Sequence, residues 1–268
     1  MWIVGAARWS SLRAFLDSVR PMGSLQKRVS IPMVKSTVAD IRARFDDDVE
    51  RFSDLESGQQ SVVDARTILD RTTNAAAMTT PDATHVLDVG CGAGNYSLKL
   101  LQHLDDLHVD LVDLSRPMLD RAVERVGAAT DGTVRPLQAD IRELSLEPAQ
   151  YDIIVAAAVL HHLRTDEEWT AVAQKLYESL RPGGAVWVAD LVTHSTAAVR
   201  ELMWTAYGDY LEDLDGPAYR ERVFNYIEQE DTPRPLLEQI DIFRSAGFDD
   251  AEILHKNATF GAFGVIKR

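Results

Sequence analysis

Residues 86–97 read VLDVGCGAGNYS. A short apolar run ends in three glycines at alternate positions, Gly90, Gly92 and Gly94, and a stretch compatible with a helix follows. Side chains are given up where something must approach the backbone closely or where the chain must turn tightly. An apolar strand, a glycine turn and a helix form the entry unit of a doubly wound α/β sheet, and ligands of such sheets bind at the carboxyl ends of the strands.

Outward from this stretch the chain alternates. Apolar runs predict strands over 85–89, 109–113, 134–138, 151–156 and 185–191. Helical patterns lie between them, over roughly 95–104, 116–126 and 165–180, with RPGG at 181–184 stopping the last one. Alternation of this kind predicts a parallel, Rossmann-like sheet. Upstream, Val38, Ile41, Phe45 and Val49 have helical spacing, and a second helix is expected over 61–73. The stretch TTNAAAMTTPDAT at 72–84 reads as a separator. Downstream, 197–214 reads as a helix with Trp204, Tyr207 and Tyr210 on one broad face. A Pro- and charge-bearing stretch runs to about 235, and a helix follows to 245. The tail DDAEILHKNATFGAFGVIKR reads as a hairpin turning near Lys256 and Asn257 and closing one sheet edge.

Composition bounds the function. The chain has 268 residues, is 46% hydrophobic and carries a formal charge of −14, which supports a large core and disfavours nucleic-acid backbones. Cys91 is the single cysteine, so no intrachain disulfide forms, and a cytoplasmic setting is expected. No apolar run is long enough to span a bilayer. Residues 1–35 are basic, with Arg8, Arg13, Arg20, Lys27, Arg28 and Lys35 against Asp17, and read as an extension, of which 1–32 are expected to be dispensable for ligand binding. The expected organisation is that extension, a helical cap over 36–80, and a core domain over 81–268 with a cap insertion at about 193–235. A homodimer is an admissible assembly.

Three ligands compete for the glycine turn. A dinucleotide needs G-x-G-x-x-G, and here the third glycine comes one position early, with Asn95 beyond it. A P-loop is excluded because no Gly-Lys-Ser/Thr follows. Asp88, just before the turn, repels pyrophosphate but suits a cationic nucleoside such as a sulfonium. Asp113, 23 residues past Gly90, stands where an acid takes ribose hydroxyls, and Asp140 follows the third strand, where a carboxylate can accept from an adenine amino group.

At this point VLDVGCGAGNYS, VDLVDLSRPML, LQADIREL, IIVAAAVLHHL and LRPGGAVWVAD, in order over residues 84–192, resemble the successive motifs of class I S-adenosylmethionine (SAM)-dependent methyltransferases. The resemblance implies a seven-stranded sheet with the last strand antiparallel, SAM as cofactor and S-adenosylhomocysteine as product. It implies that Gly90, Cys91, Gly92 and Gly94 run along the methionine moiety and that Asp113 holds the ribose. Leu114 and Met118 would pack near the adenine, Asp140 and Ile141 would contact the base, and Ala157 would lie at the cofactor's edge. A narrower resemblance, in ARFDDDVERF, RSAGFDDAEIL and FGAFGVIK, is to the carboxy-SAM synthases of bacterial tRNA wobble-uridine modification. That family's Gly-Tyr-Ser is replaced by GQQS at 58–61, and its carboxylate-binding arginine corresponds to Arg220 or Arg222.

The expected activity is methyl transfer to a small-molecule acceptor. The alternatives are a carboxy-SAM synthase-like reaction and a SAM-binding protein without turnover. His161 and His162, just after the fourth strand, are the candidate bases, since methyl transfer needs alignment and, for a protonated acceptor, a base. Trp204, Tyr207 and Tyr210 are the candidate wall over the acceptor. No metal-ligand spacing is present in the sequence, so no metal is expected.

Overall fold

The computed structural model describes residues 35–47, 49 and 59–268; of the basic stretch read at 1–35, all but Lys35 lies outside them. A seven-stranded sheet runs in the order β3-β2-β1-β4-β5-β7-β6. Its strands are β1 (His85–Val89), β2 (His108–Asp113), β3 (Val134–Gln138), β4 (Tyr151–Ala157), β5 (Leu180–Leu191), β6 (Asp250–Asn257) and β7 (Phe260–Ile266). The first five pair in parallel, and β7 runs antiparallel to both β5 and β6, as the terminal hairpin predicts. The described helices are α1 (Val38–Asp47), α2 (Ala65–Thr79), α3 (Asn95–Leu100), α4 (Arg116–Gly127), α5 (Asp166–Ser179), α6 (Ala197–Glu230) and α7 (Leu236–Ser245).

The central strands are apolar on both faces because helices cover both. Val86, Ile153, Val155 and Trp187 point to one side, where α2, α3, α4 and α6 pack. Leu87, Val89, Ile154, Ala156 and Val188 point to the other, against α5 and α7. Period-two alternation in β1 and β4 thus feeds two cores at once.

Two expectations are corrected. The separator at 72–84 is helical through Thr79, because Thr72, Thr73, Ala76 and Ala77 bury one side of α2. Alanine is the best helix former, and small residues let the helix lie close to its neighbours. The Pro- and charge-bearing stretch is also largely helical. Non-helical Asp215 and Gly216 break α6, and Pro217 opens its second half, a position where a missing N–H costs nothing.

Candidate functional site

The turn after β1 is built by close packing. Gly90 has φ +68°, and a Cβ there would lie 2.7 Å from Val159 Cβ. Gly94 has φ +80° and caps α3, and a Cβ there would lie 2.8 Å from Val126 Cγ2. Both positions therefore require glycine on conformation and on space. Gly90, Cys91 and Gly92 line a cavity at the carboxyl ends of β1, β2 and β4, whereas Gly94 faces α4 and does not line it.

Acids ring this first cavity. Asp88 is buried and accepts from Ser97 Oγ at 2.6 Å; burial pushes its carboxyl up to about 6, against the pull of that hydrogen bond. Asp113, at the end of β2, accepts from the backbone N–H of Gly92 and of Ser115, each at 2.9 Å. These bonds fix its carboxylate at the rim, although burial still raises its pKa. Asp140 is held by Arg142, which donates from both Nε and Nη2, and despite partial burial its carboxyl stays below the usual range. Leu114, Met118, Ile141 and Ala157 complete the expected set, all on the cavity wall. Cys91 is a buried thiol whose pKa is raised by burial, so it is an unreactive wall.

Helix α1 closes the cavity. Thr37 and Asp40 exchange hydrogen bonds at its start: Asp40 N–H donates to Thr37 Oγ1 at 3.2 Å and Thr37 N–H to Asp40 Oδ2 at 2.9 Å. Val38, Ile41 and Phe45, on one helical face, line the cavity. Ser115 Oγ donates to Asp46 Oδ1 at 2.6 Å, and Arg44 pairs with buried Glu230 at 2.7 Å, so the C-terminal turn of α1 is tied to the core.

A second cavity adjoins the first. Phe45, Gln59, Tyr96, Ala157, Ala158 and His162 line both. Its walls are aromatic and apolar, with Tyr207, Tyr219, Tyr226 and Phe260, and its polar groups include Arg44, Arg222, His161, Asp190 and Asp231. Of the residues predicted to face an acceptor, Tyr207 and Arg222 line this cavity, whereas Trp204, Tyr210 and Arg220 do not. Trp204 stacks edge-on against Tyr207 and Phe224, the Tyr210 hydroxyl donates to Gln60 O at 2.7 Å, and Arg220 pairs with Glu212 at 2.7 Å.

Both predicted histidines face the second cavity from a 3₁₀ turn after β4, with ring centroids 4.3 Å apart. His161 Nδ1 contacts Asp190 Oδ1, and the His161 backbone N–H donates to Asp190 Oδ2 at 3.1 Å. Burial opposes a charge on His161, but Asp190 and Asp231 outweigh it and its pKa rises to about 9. Burial, and then the charge on His161, keep His162 well below the ordinary histidine range. Burial raises Asp231 to about 6, although His161 pulls it down. Asp231 had no sequence signal, since a lone acid at the end of a charged stretch reads as solvated surface. Tyr219, Val223, Tyr226 and Ile227 do carry helical spacing, but it follows Pro217 and reads as broken.

Residues 86–184 match the model of a methyltransferase domain. The chain is 27% identical over 238 residues to the carboxy-S-adenosyl-L-methionine synthase of Shigella boydii serotype 4, covering 83% of this chain and 90% of that protein. In structure it is similar to the [4+2]-cyclase SpnF, with a TM-score of 0.60 at 14% identity, covering 90% of this chain and 99% of that one. It is also similar to magnesium protoporphyrin IX methyltransferase (ChlM) of Synechocystis PCC 6803 with bound S-adenosylhomocysteine, with a TM-score of 0.58 at 15% identity, covering 86% and 99%. The two structural likenesses are likenesses of fold.

Proposed function

We propose that this chain, which carries a class I SAM-dependent methyltransferase domain and resembles the carboxy-SAM synthases, binds SAM in the first cavity and transfers its methyl group to a small molecule in the second. One observation carries the reading: an acid-ringed cavity at the glycine turn opens into an aromatic one through six shared residues. In-line transfer needs a donor and an acceptor space that meet at the reacting carbon, closed to water. Asp113 takes the ribose hydroxyls, Leu114 and Met118 flank the adenine, and Asp88 faces the positive charge of the methionine moiety. Tyr207 and Phe45 wall the acceptor, and the histidine pair stands where an acceptor's proton has to leave.

Fold alone does not choose the reaction, as the cyclase with this fold illustrates. A second reading, carboxyl transfer to SAM, draws on Arg222, a guanidinium lining the acceptor space. Against it, Arg222 is 65% exposed and lies 3.5 Å from Asp215, a poor arrangement for a desolvated carboxylate partner, and Gln59 stands in the stretch where that family has Gly-Tyr-Ser.

Calorimetry tests the cofactor site. Charge-assisted hydrogen bonds contribute about 1.5–3 kcal/mol each. Asp113→Ala should therefore weaken SAM binding by roughly tenfold to several hundredfold with the fold intact. Unchanged affinity in a folded variant would remove Asp113 from the site, and a wild-type chain that does not bind SAM would remove the whole reading.

A further inference from the structure

Two carboxylates and two imidazoles converge on the inner wall of the second cavity. His161 Nδ1 faces Asp190, which orients the ring and leaves Nε2 to point toward Asp231. His161 Nε2 lies 3.6 Å from Asp231 Oδ1, and His162 Nδ1 lies 3.3 Å from the same oxygen. The three ligand atoms lie within 4.8 Å of one another. His162 Nδ1 and Asp231 Oδ1 are both buried, and their 3.3 Å approach is not aligned as a hydrogen bond, so neither atom has a hydrogen-bond partner among the described residues.

Unmet polar atoms at this depth are costly unless a cation sits among them. A proton joins two of these atoms at most. A metal ion joins all three. Tetrahedral bonds of about 2.0–2.2 Å put neighbouring ligand atoms about 3.3–3.6 Å apart, which are the two separations seen here. Charge points the same way. Glu230 is already answered by Arg44 at 2.7 Å, whereas the Asp190 and Asp231 carboxylates face the histidines, with Lys35 beside Asp231 donating to its backbone carbonyl.

We propose that His161 Nε2, His162 Nδ1 and the Asp231 carboxylate bind a divalent transition metal of the zinc type, with Asp190 as the outer carboxylate that fixes His161. Two histidines and one carboxylate leave a coordination position free, and these ligands line the aromatic cavity, so that position is open to water or to an oxygen of the acceptor. The matching acceptor is a small aromatic molecule with a hydroxyl, whose acidity the metal increases, or a carboxylate, which binds the metal as the anion. That role rests on the transfer reading; metal binding does not.

The test uses the untagged full chain, stripped with chelator and free of SAM. Titration with Co²⁺ should show one saturable equivalent with visible d–d absorption, and Zn²⁺ should displace it. Asp231→Asn and His162→Gln should each weaken binding at least a hundredfold. Asp190→Asn, which touches no metal, should weaken it about tenfold to a hundredfold. Asp113→Ala should keep the metal while binding SAM more weakly, so failure of the metal site and failure of the cofactor site read separately. Absence of a saturable equivalent, or unchanged affinity in folded Asp231→Asn, overturns the proposal. Should the ligand variants misfold, the wild-type chain decides: Zn²⁺ must raise its melting temperature in step with occupancy, and no shift overturns the site.

Discussion

Asp88 stands buried behind the glycine turn with Ser97 Oγ as its donor. Its native carboxyl titrates at about 6, above the usual carboxylate value, because burial disfavours the charge. The native state therefore holds more protons than the unfolded chain between about pH 4 and 6, and this group's contribution to stability falls as pH rises through that window. A cationic cofactor reverses the preference, since it pairs with the ionised form. SAM affinity should thus be level above about pH 6 and fall below it by up to about tenfold per pH unit. Asp88→Asn should flatten that dependence, weaken SAM at pH 7, and raise the melting temperature of the cofactor-free chain. A variant that melts lower and binds SAM as tightly would mean that Asp88 serves packing alone. The position of Asp88 is legible in sequence, as are those of Asp113 and Asp140, because each follows an apolar run at a fixed offset. Its burial and titration are not, since they depend on Ser97 and on helices packed over the turn. Asp231 is legible in neither respect: the residues it meets, His161 and His162, come to it only through the end of α6, where Thr232 N–H donates to His161 O at 2.7 Å.

At the scale of elements, strands read well and helices less so. Parallel strands covered on both sides are continuous apolar runs, and β1 has the bounds that such a run predicts; β3, an edge strand with no buried residue, also keeps its expected bounds. The end of α2, from Asn74 to Thr79, and the second half of α6 are hidden by composition, the one by alanine and threonine that look like a linker, the other by Pro217. Helix α1 carries a consequence for binding. Its Val38, Ile41 and Phe45 line the first cavity, and the Arg44 pair with Glu230 holds it down. Glu230 is fully buried, and Ser36 Oγ donates to the same carboxylate oxygen that Arg44 contacts. Removing the guanidinium leaves a buried charge without its counterion, which costs about 3–5 kcal/mol where no relaxation is open. Here release of α1 is the cheaper response. Arg44→Ala should accelerate SAM dissociation at least tenfold and raise hydrogen exchange over 38–47, with the exchange of β1 and β4 unchanged. Arg44→Lys should restore part of the effect. Unchanged dissociation and exchange would show that α1 is held by its apolar face without the ion pair.

Across the whole molecule the two cavities lie at the carboxyl ends of the strands, in a chain whose formal charge of −14 gives an acidic surface. Such a surface repels polyanions, and no described helix is long and apolar enough to cross a membrane. A small-molecule acceptor fits that setting. The reaction itself turns on what the cavities retain. A carboxyl group on the sulfonium carbon needs a guanidinium that can bond both oxygens in a desolvated place. Arg44 is engaged by Glu230, and Arg220 by Glu212 outside the cavity, which leaves Arg222, largely exposed and beside Asp215. The ligand that copurifies should therefore be SAM or S-adenosylhomocysteine. If mass spectrometry instead finds SAM heavier by one CO₂, carboxyl transfer displaces methyl transfer as the reading. Arg222→Ala should then lose the heavier ligand while keeping SAM, because the guanidinium matters only when the second carboxylate is present. Arg220→Ala should keep both, since its side chain faces Phe224 and Glu212. Retention of the heavier ligand in both variants would leave its identity standing and remove Arg222 as its partner.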